Sequence, residues 1–421
     1  MGYVLLFFLI GVAAADFTGH RLVSINARSR EDLDFLNALG ENPDFEGLDF
    51  WTDLSVYRPV EVRVSPNDYE KLQQTLKSVG ISFDVINENI QDMIDEERRS
   101  MEKIPKVGLC NPQTTYCTYD EIGAWLSSMA SSNPYRMQFT YLDGLSYEGR
   151  EIYQVKIAED MYNPKEAVWI EAGTHAREWI AISSALNLIE KLLSNSNEAT
   201  EMLSKYDWYI VPVHNPDGYL YTHASSNNRL WRKNRQPCNM FYTGTDLNRN
   251  WEANFGGPGS SSSCFSETYR GTTAFSAPET AALRDAVLAT PLVKAFFSVH
   301  CYSEYMLVPY GYTSTYPGRY DHLMDVANYM MMWLETIDER YYLTGTPPDI
   351  LYEASGGAYD YFYTQDIPYS YTYELRPKSG TSNGFVLPAA EIPLAADELF
   401  ISLWAFSNIT NLNWDMELSH P

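Results

Sequence analysis

Along residues 16–95 the apolar positions switch between a period of two and a period near 3.6. "HRLVSINA" alternates as a strand does. "SREDLDFLNALGE" follows, with a serine cap and Leu33, Leu36 and Leu39 at helical spacing. "LDFWTDL" and "PVEVRVS" read as strands. "SPNDYEKLQQTLKSVGI" reads as a second capped helix, with Pro66 early in it and Gly80 beyond its end. "SFDVINENI" supplies a last strand. The order β-α-β-β-α-β predicts a small open-faced sandwich. A unit of ~80 residues folds by itself only marginally.

The charged stretch "QDMIDEERRSMEKIPKVGL" comes next. It carries Arg98-Arg99 and further basic sites at Lys103 and Lys106. It reads as a solvated connecting helix, or as a trypsin-sensitive site between two domains. From about Thr118 onward helices and strands alternate. "YDEIGAWLSSMASS", "EWIAISSALNLIEKLLS", "SAPETAALRDAVLAT", "HLMDVANYMMMWLETI" and "AADELFISLWAFSNI" have helical spacing. "EIYQVKIA", "AVWIEAG", "DWYIVPV", "KAFFSVH" and "YSYTYEL" read as strands. Such alternation predicts an α/β domain with helices on both faces of a parallel or mixed sheet. Sites in such sheets lie beyond the carboxyl ends of the strands.

Composition narrows the setting. The chain has 421 residues, 45% apolar and 20% charged, which suits two globular units. Its net charge of −25 argues against nucleic acid and anionic membranes, because nothing would neutralise phosphates. Residues 1–15, "MGYVLLFFLIGVAAA", read as a signal peptide cut near Ala15 and imply secretion. Secretion permits disulfides. Cys110 and Cys117 are close enough in sequence to pair, and Cys238 and Cys264 flank a Gly/Ser-rich loop as a second candidate pair. Cys301 is then free, unless it takes a partner from one of those pairs. Asn408-Ile409-Thr410 is a glycosylation sequon.

The chemistry gathers at strand ends. Gly173-Thr174-His175-Ala176-Arg177-Glu178-Trp179 follows "AVWIEAG" and opens a long helix. In a helical turn the spacing of His175 and Glu178 puts both side chains on one side. Imidazole and carboxylate both suit zinc at about 2.0–2.2 Å. His300 ends "KAFFSVH" and is the best third ligand; His214 ends "DWYIVPV" and rivals it. Glu374 ends "YSYTYEL" and suits a general base, or else an ion pair with Arg376. Arg177, Arg232 and Arg249 could each recognise a carboxylate, or be ordinary ion-pair arginines.

In combination and order, "HARE", "NRLWRKNR", "DLNRNW", "SVHCYS", "YEASGG" and "TYELR" resemble the digestive metallocarboxypeptidases of the funnelin A/B type. The resemblance spans nearly the whole chain. It implies a signal peptide at 1–15, an activation pro-domain of ferredoxin-like α+β build with its connecting helix at 16–99, and a catalytic domain at 100–421. It implies a mixed eight-stranded sheet with helices on both faces. One zinc ion would be held by His175, Glu178 and His300. Glu374 matches the general base, and Arg232 the group that polarises the scissile carbonyl. Asn248, Arg249 and Tyr352 match the clamp on the substrate's terminal carboxylate, with Tyr352 on a mobile loop. Arg177, Tyr302 and Phe385 match neighbouring subsites, though the loop before Phe385 is longer than usual. Cys238 and Cys264 match the family's disulfide.

Gly311, Pro347, Ala354, Tyr359 and Thr372 match the pocket for the last side chain. Tyrosine at 359, where B-type enzymes have aspartate, favours an A-type preference for aromatic or aliphatic residues. A B-type enzyme, an inactive binding protein on the same fold and a zinc endopeptidase are the competing readings. The chain lacks the His-Glu-x-x-His helix of many zinc endopeptidases. The expected partners are peptide C-termini and a trypsin-like activating protease, and the expected state is a monomer.

Overall fold

A computed structural model describes residues 16–104 and 110–410. The signal-peptide reading and the basic site Lys106 lie outside the described residues.

Strands β1 (Arg21–Asn26), β2 (Asp49–Phe50), β3 (Val60–Val64) and β4 (Ser82–Asn87) form an antiparallel sheet in the order β2-β3-β1-β4. Helices Arg30–Gly40 and Pro66–Ser78 cover one face. Ser29 and Ser65 cap them by accepting from the N–H groups of Asp32 and Asp68. Leu33, Leu36, Leu39, Leu72 and Leu76 pack on Val23, Ile25, Val60, Val62 and Val64. This is the expected open sandwich. The strand at "LDFWTDL" is only two residues long; the Trp51 N–H still donates to the Glu61 carbonyl at 2.8 Å, and its ring packs on Phe385 of the larger domain, 5.2 Å between rings.

Alternation along β3 sets the domain's orientation. Its valines face the helices, so Glu61 and Arg63 face the other way, toward the larger domain. The open face of the small sheet is therefore a docking face.

The larger domain is built on β5 (Met137–Leu145), β6 (Glu151–Ile157), β7 (Glu166–Ala172), β8 (Tyr206–Val211), β9 (Val293–Cys301), β10 (Tyr305–Leu307), β11 (Leu343–Gly345) and β12 (Tyr369–Leu375). Their order is β11-β10-β12-β9-β7-β8-β6-β5. The central strands β12, β9, β7 and β8 are parallel and the flanking pairs are mixed. Both faces are covered. Val168, Ile170, Phe297 and Val299 pack with Ile182, Leu186, Leu399 and Leu403 of helices Trp179–Leu193 and Ile392–Ile409. Trp169 and Phe296 pack with Leu283 and Phe362 of helices Pro278–Ala289 and Ala358–Thr364.

Some elements differ from the sequence reading. The helix expected over "HLMDVANYMMMWLETI" ends at Met332, and a short Glu335–Asp338 turn follows. "SAPETAALRDAVLAT", whose serine reads as a cap, has no side-chain cap; Pro278 starts it instead. β5, β10, β11 and helix Ala358–Thr364 were not among the expected elements, although Met137, Phe139 and Tyr141 of β5 alternate with Gln138 and Thr140. Cys110 pairs with Cys117, and Cys238 with Cys264. Cys301 is free and buried, and burial pushes its thiol pKa well up, so it is inert. At the sequon, Asn408 accepts from Lys205 and the Thr410 hydroxyl is buried.

The small domain has few residues to spare. Leu36→Ala should cost it roughly 2–5 kcal/mol. Calorimetry should then show the small domain melting ahead of the larger one, with β4 and β1 losing hydrogen-exchange protection first.

Candidate metal centre

Three neighbouring parallel strands end at one edge of the large sheet. β7 runs into Gly173, β9 delivers His300, and β12 delivers Glu374 directly opposite His300 in the ladder. Gly173 makes the turn possible. Its φ is +69°, and a Cβ there would lie 2.9 Å from Ile182 and 3.2 Å from the Pro212 carbonyl. His175 and Glu178 occupy the turn that follows, and the helix starts only at Trp179. This corrects the expectation that both sit on a helical turn. The Glu178 N–H donates to the His175 carbonyl at 3.2 Å, which brings the two side chains together without a helix.

His175, Glu178 and His300 converge, with one donor atom from each inside a 4.8 Å cluster. Glu178 lies 2.7 Å from His175 Nδ1 and 2.9 Å from His300 Nδ1, and the two Nδ1 atoms are 3.1 Å apart. All three residues are buried. The outer partners fix which nitrogens face inward. His175 Nε2 is held by Asp246 at 3.0 Å. His300 Nε2 meets Ser298 Oγ at 2.9 Å, and Ser298 donates to Glu171 at 2.6 Å. Both Nε2 atoms therefore carry the proton, and both Nδ1 lone pairs point at the shared centre. Two imidazoles and a carboxylate so arranged fit a divalent zinc-like ion.

Electrostatics agree. Burial raises the Glu178 pKa, but His175 and His300 outweigh it and hold the carboxyl below its usual range. Burial lowers His300, but Glu178 leads the carboxylates that push it up to about 9. The centre attracts positive charge. Burial holds the Glu374 carboxyl well above its usual range; His300 opposes this, and Glu178 reinforces it.

The rival roles resolve. His214 is bound by Thr174 at 2.8 Å and by the Glu279 carbonyl at 3.0 Å, away from the cluster. Arg376 pairs with Glu398, Glu391 and Asp338, leaving Glu374 to face the cleft. Arg232 and Asn248 stand beside the cluster. Arg232 is held by Asp246 at 2.9 Å, and Asn248 Nδ2 lies 3.4 Å from His300. Arg249 is oriented by the carbonyls of Gly259 and Asn248 at 2.8 and 2.9 Å. Pro347, Ala354, Tyr359 and Thr372 line the same cleft. Gly311 does not, contrary to expectation, because the Tyr359 hydroxyl lies over it.

The small domain roofs the cleft, and its contacts fall on the expected subsites. Asp49 grips Arg177 with both oxygens at 2.9 Å and is shared with Arg63 at 3.2 Å. Arg177 stacks 4.1 Å from the Phe385 ring, and Tyr302 packs against the same ring. Phe385 thus sits with its expected neighbours despite the longer loop. Glu61 accepts from the Tyr302 hydroxyl and the Gly380 N–H. Glu97 of helix Ile90–Glu102 pairs with Arg229 at 2.6 and 3.0 Å, over the face of Trp179. The Tyr352 hydroxyl donates to Asp34 at 3.1 Å, with Arg30 over its ring.

Sequence reasoning missed Asp49, Glu61, Glu97 and Asp246. Asp246 stood in "DLNRNW", the motif that named its two neighbours. The other three looked like ordinary solvated acids.

The fold and the site define a metal-binding α/β protein whose cleft is closed by its own N-terminal domain. The chain belongs to the zinc carboxypeptidase family: residues 122–402 match it, and residues 23–97 match the carboxypeptidase activation peptide. Carboxypeptidase A1 of Mus musculus is 33% identical over 396 residues, covering 92% of this chain and 93% of its own. The crystal structure of the carboxypeptidase A from Helicoverpa armigera superposes with a TM-score of 0.83 at 27% identity, covering 94% of this chain and 99% of its own. That of thrombin activatable fibrinolysis inhibitor gives 0.82 at 29% identity, covering 93% and 99%. The protein is thus a metallocarboxypeptidase with an activation domain.

Two measurements probe this arrangement. Asp246→Asn should weaken zinc binding about 10–100-fold, read by competition with a chelator. The second concerns Glu61. Burial pushes its carboxyl up to about 7, and bonds from Tyr302 and Gly380 only partly offset this. Exposed glutamate titrates near 4.3. The docked state therefore favours protonated Glu61, and docking weakens as pH rises from about 4.3 through about 7. The excised N-terminal domain should bind the larger one more tightly at pH 5 than at pH 8 by calorimetry, and Glu61→Gln should remove most of that difference.

Proposed function

We propose that the protein is a secreted zymogen whose mature form removes single residues from peptide C-termini, preferring aromatic or aliphatic ones. The observation that carries this is one cleft holding the His175, Glu178 and His300 cluster, Glu374, Arg232 and the inward-facing Arg249 together. His175, Glu178 and His300 would hold one zinc ion. That ion would supply Lewis-acid polarisation and acidify a water toward pH 7.

The chain's own groups do the rest. Glu374 takes a proton from the attacking water and returns it to the leaving nitrogen. Arg232, held by Asp246, donates to the scissile carbonyl oxygen as negative charge grows there. Arg249 and Asn248 seat the terminal carboxylate, and Tyr352 closes over it once Asp34 has gone. An internal peptide bond lacks that anion, so a buried arginine would be left unpaired; this favours exopeptidase action. Arg177, Tyr302 and Phe385 form the subsites upstream.

The A-type preference rests on Tyr359 and Asp360. Asp360 turns both oxygens to the Gly311 N–H, at 3.1 and 2.9 Å. It stands outside the cleft lining, and burial holds its carboxyl well above the usual range. A basic side chain would find no ionised partner there. Aromatic and aliphatic residues are therefore favoured over lysine and arginine.

Activation by a trypsin-like protease fits the basic residues of helix Ile90–Glu102. Arg99 is exposed, whereas Arg98 is half-buried and reaches the His223 carbonyl. We assign the cut to Arg99, ending the activation segment at 16–99. Secretion is supported by the apolar leader pattern and the two disulfides. A monomer suffices, because one chain holds every group named above.

The zymogen should show little activity, since its subsites are filled. After trypsin, N-terminal sequencing should begin at Ser100, and blocked dipeptides ending in Phe or Leu should be hydrolysed at least about tenfold faster than one ending in Lys. A chelator should stop the reaction, and zinc should restore it. Glu374→Gln should lower kcat at least about 100-fold, with zinc content unchanged. Full turnover by metal-free protein would refute the assignment.

A further inference from the structure

Arg177 is held by a domain that leaves. It is fully buried, with its guanidinium 4.1 Å from the Phe385 ring. Nη1 donates to both oxygens of Asp49 at 2.9 Å, and Nη2 donates to the Phe50 carbonyl at 3.4 Å. Nε is buried with no partner. Among the described residues, every hydrogen bond of this guanidinium therefore goes to the N-terminal domain. Arg229 donates to the Arg177 carbonyl at 2.8 Å, and its own carboxylate partner is Glu97. Glu97 also precedes the cut assigned to Arg99. Buried cations are ordinarily paired. Loss of residues 16–99 takes the carboxylate from both arginines at once, and among the described residues the larger domain supplies no replacement.

Asp49 shows that a peptide side chain reaches Arg177 from the cleft. Asp49, Phe50, Tyr302 and Phe385 line the same cleft as Glu374 and Arg249. The space that Asp49 and Phe50 vacate is thus continuous with the space a substrate occupies. The same two residues show how an acidic residue fits there. Its carboxylate takes Nη1, and the carbonyl of the next residue takes Nη2. Stacking on Phe385 fixes the guanidinium plane in advance, so little freedom is lost on binding.

We propose that the mature enzyme prefers peptides with an aspartate or glutamate upstream of the scissile bond, with Arg177 as the specificity-determining residue. This rests on the carboxypeptidase reading above and leaves the preference for the last side chain unchanged. Arg249 takes the chain terminus, so the carboxylate at Arg177 comes from an earlier residue. Any peptide offers a backbone carbonyl to Nη2. Only an acidic side chain restores the charged pair that Asp49 made. An upstream lysine would instead meet two like charges, Arg177 and Arg229. The chain's net charge of −25 opposes acidic peptides at long range. Physiological salt screens that field beyond about 8 Å, whereas the Arg177 contact is direct.

The test uses trypsin-activated protein and acetylated pentapeptides that end in Phe and carry alanine elsewhere. Asp, Asn or Lys replaces one alanine at a time. At one position kcat/KM for Asp should exceed that for Asn by about three- to tenfold, and Lys should fall below Asn. The Asp advantage should shrink at least about twofold in about 1 M NaCl. Arg177→Gln should bring the Asp-to-Asn ratio to about one, and Arg177→Lys should keep part of it.

Asp no better than Asn at every position would overturn the proposal. So would Lys matching Asp, an advantage indifferent to salt, or one that survives Arg177→Gln. The native panel and the salt series decide even where a variant fails to fold. If no peptide is hydrolysed, the carboxypeptidase reading fails separately. Calorimetry with the Asp and Asn peptides then still reads the Arg177 seat, and equal affinities at every position would overturn the proposal.

Discussion

Charge compensation without water governs this molecule. The edge where β7, β9 and β12 end buries two imidazoles, several carboxylates and two arginines within one cleft. Unpaired, any of them would cost several kcal/mol. The arrangement survives because most of these groups have a fixed partner. Asp246 joins His175 to Arg232, and Glu171 steadies His300 through Ser298. The same rule leaves the centre drawing a cation, and a metal site is what satisfies it.

The N-terminal domain obeys the rule too. It meets the cleft with Asp49 on Arg177, Glu97 on Arg229 and Asp34 on Tyr352. Trp51 covers Phe385, which supplies apolar burial between the ion pairs. Glu61 differs from Asp49 and Glu97 in being buried with a hydroxyl and a backbone N–H rather than a cation as partners. Its contact therefore weakens as pH rises through about 7.

Local pattern made much of this readable. Period-two valines announced β3, and serine caps announced both helices of the small domain. The strand ends gave His300 and Glu374, because an apolar run that stops at one ionisable residue marks a sheet edge. The His175–Glu178 pairing was right in outcome although its backbone is a turn rather than a helix. What stayed hidden was pairing across distance. Asp49 and Arg177 are 128 residues apart, and nothing local distinguishes that aspartate from a solvated one. The direction of Tyr359 was equally invisible, since it depends on glycines at 311 and 357 brought together by the fold.

Helix Ile90–Glu102 runs through the dibasic pair and three residues beyond it. A serine protease threads its substrate as an extended strand, so no such enzyme can engage Arg99 while that last turn remains wound. Helix termini fray readily, but this one is anchored a turn earlier by buried Glu97. For the cut proposed at Arg99, the fraction of time that turn spends unwound then scales the rate of cleavage at any given protease concentration.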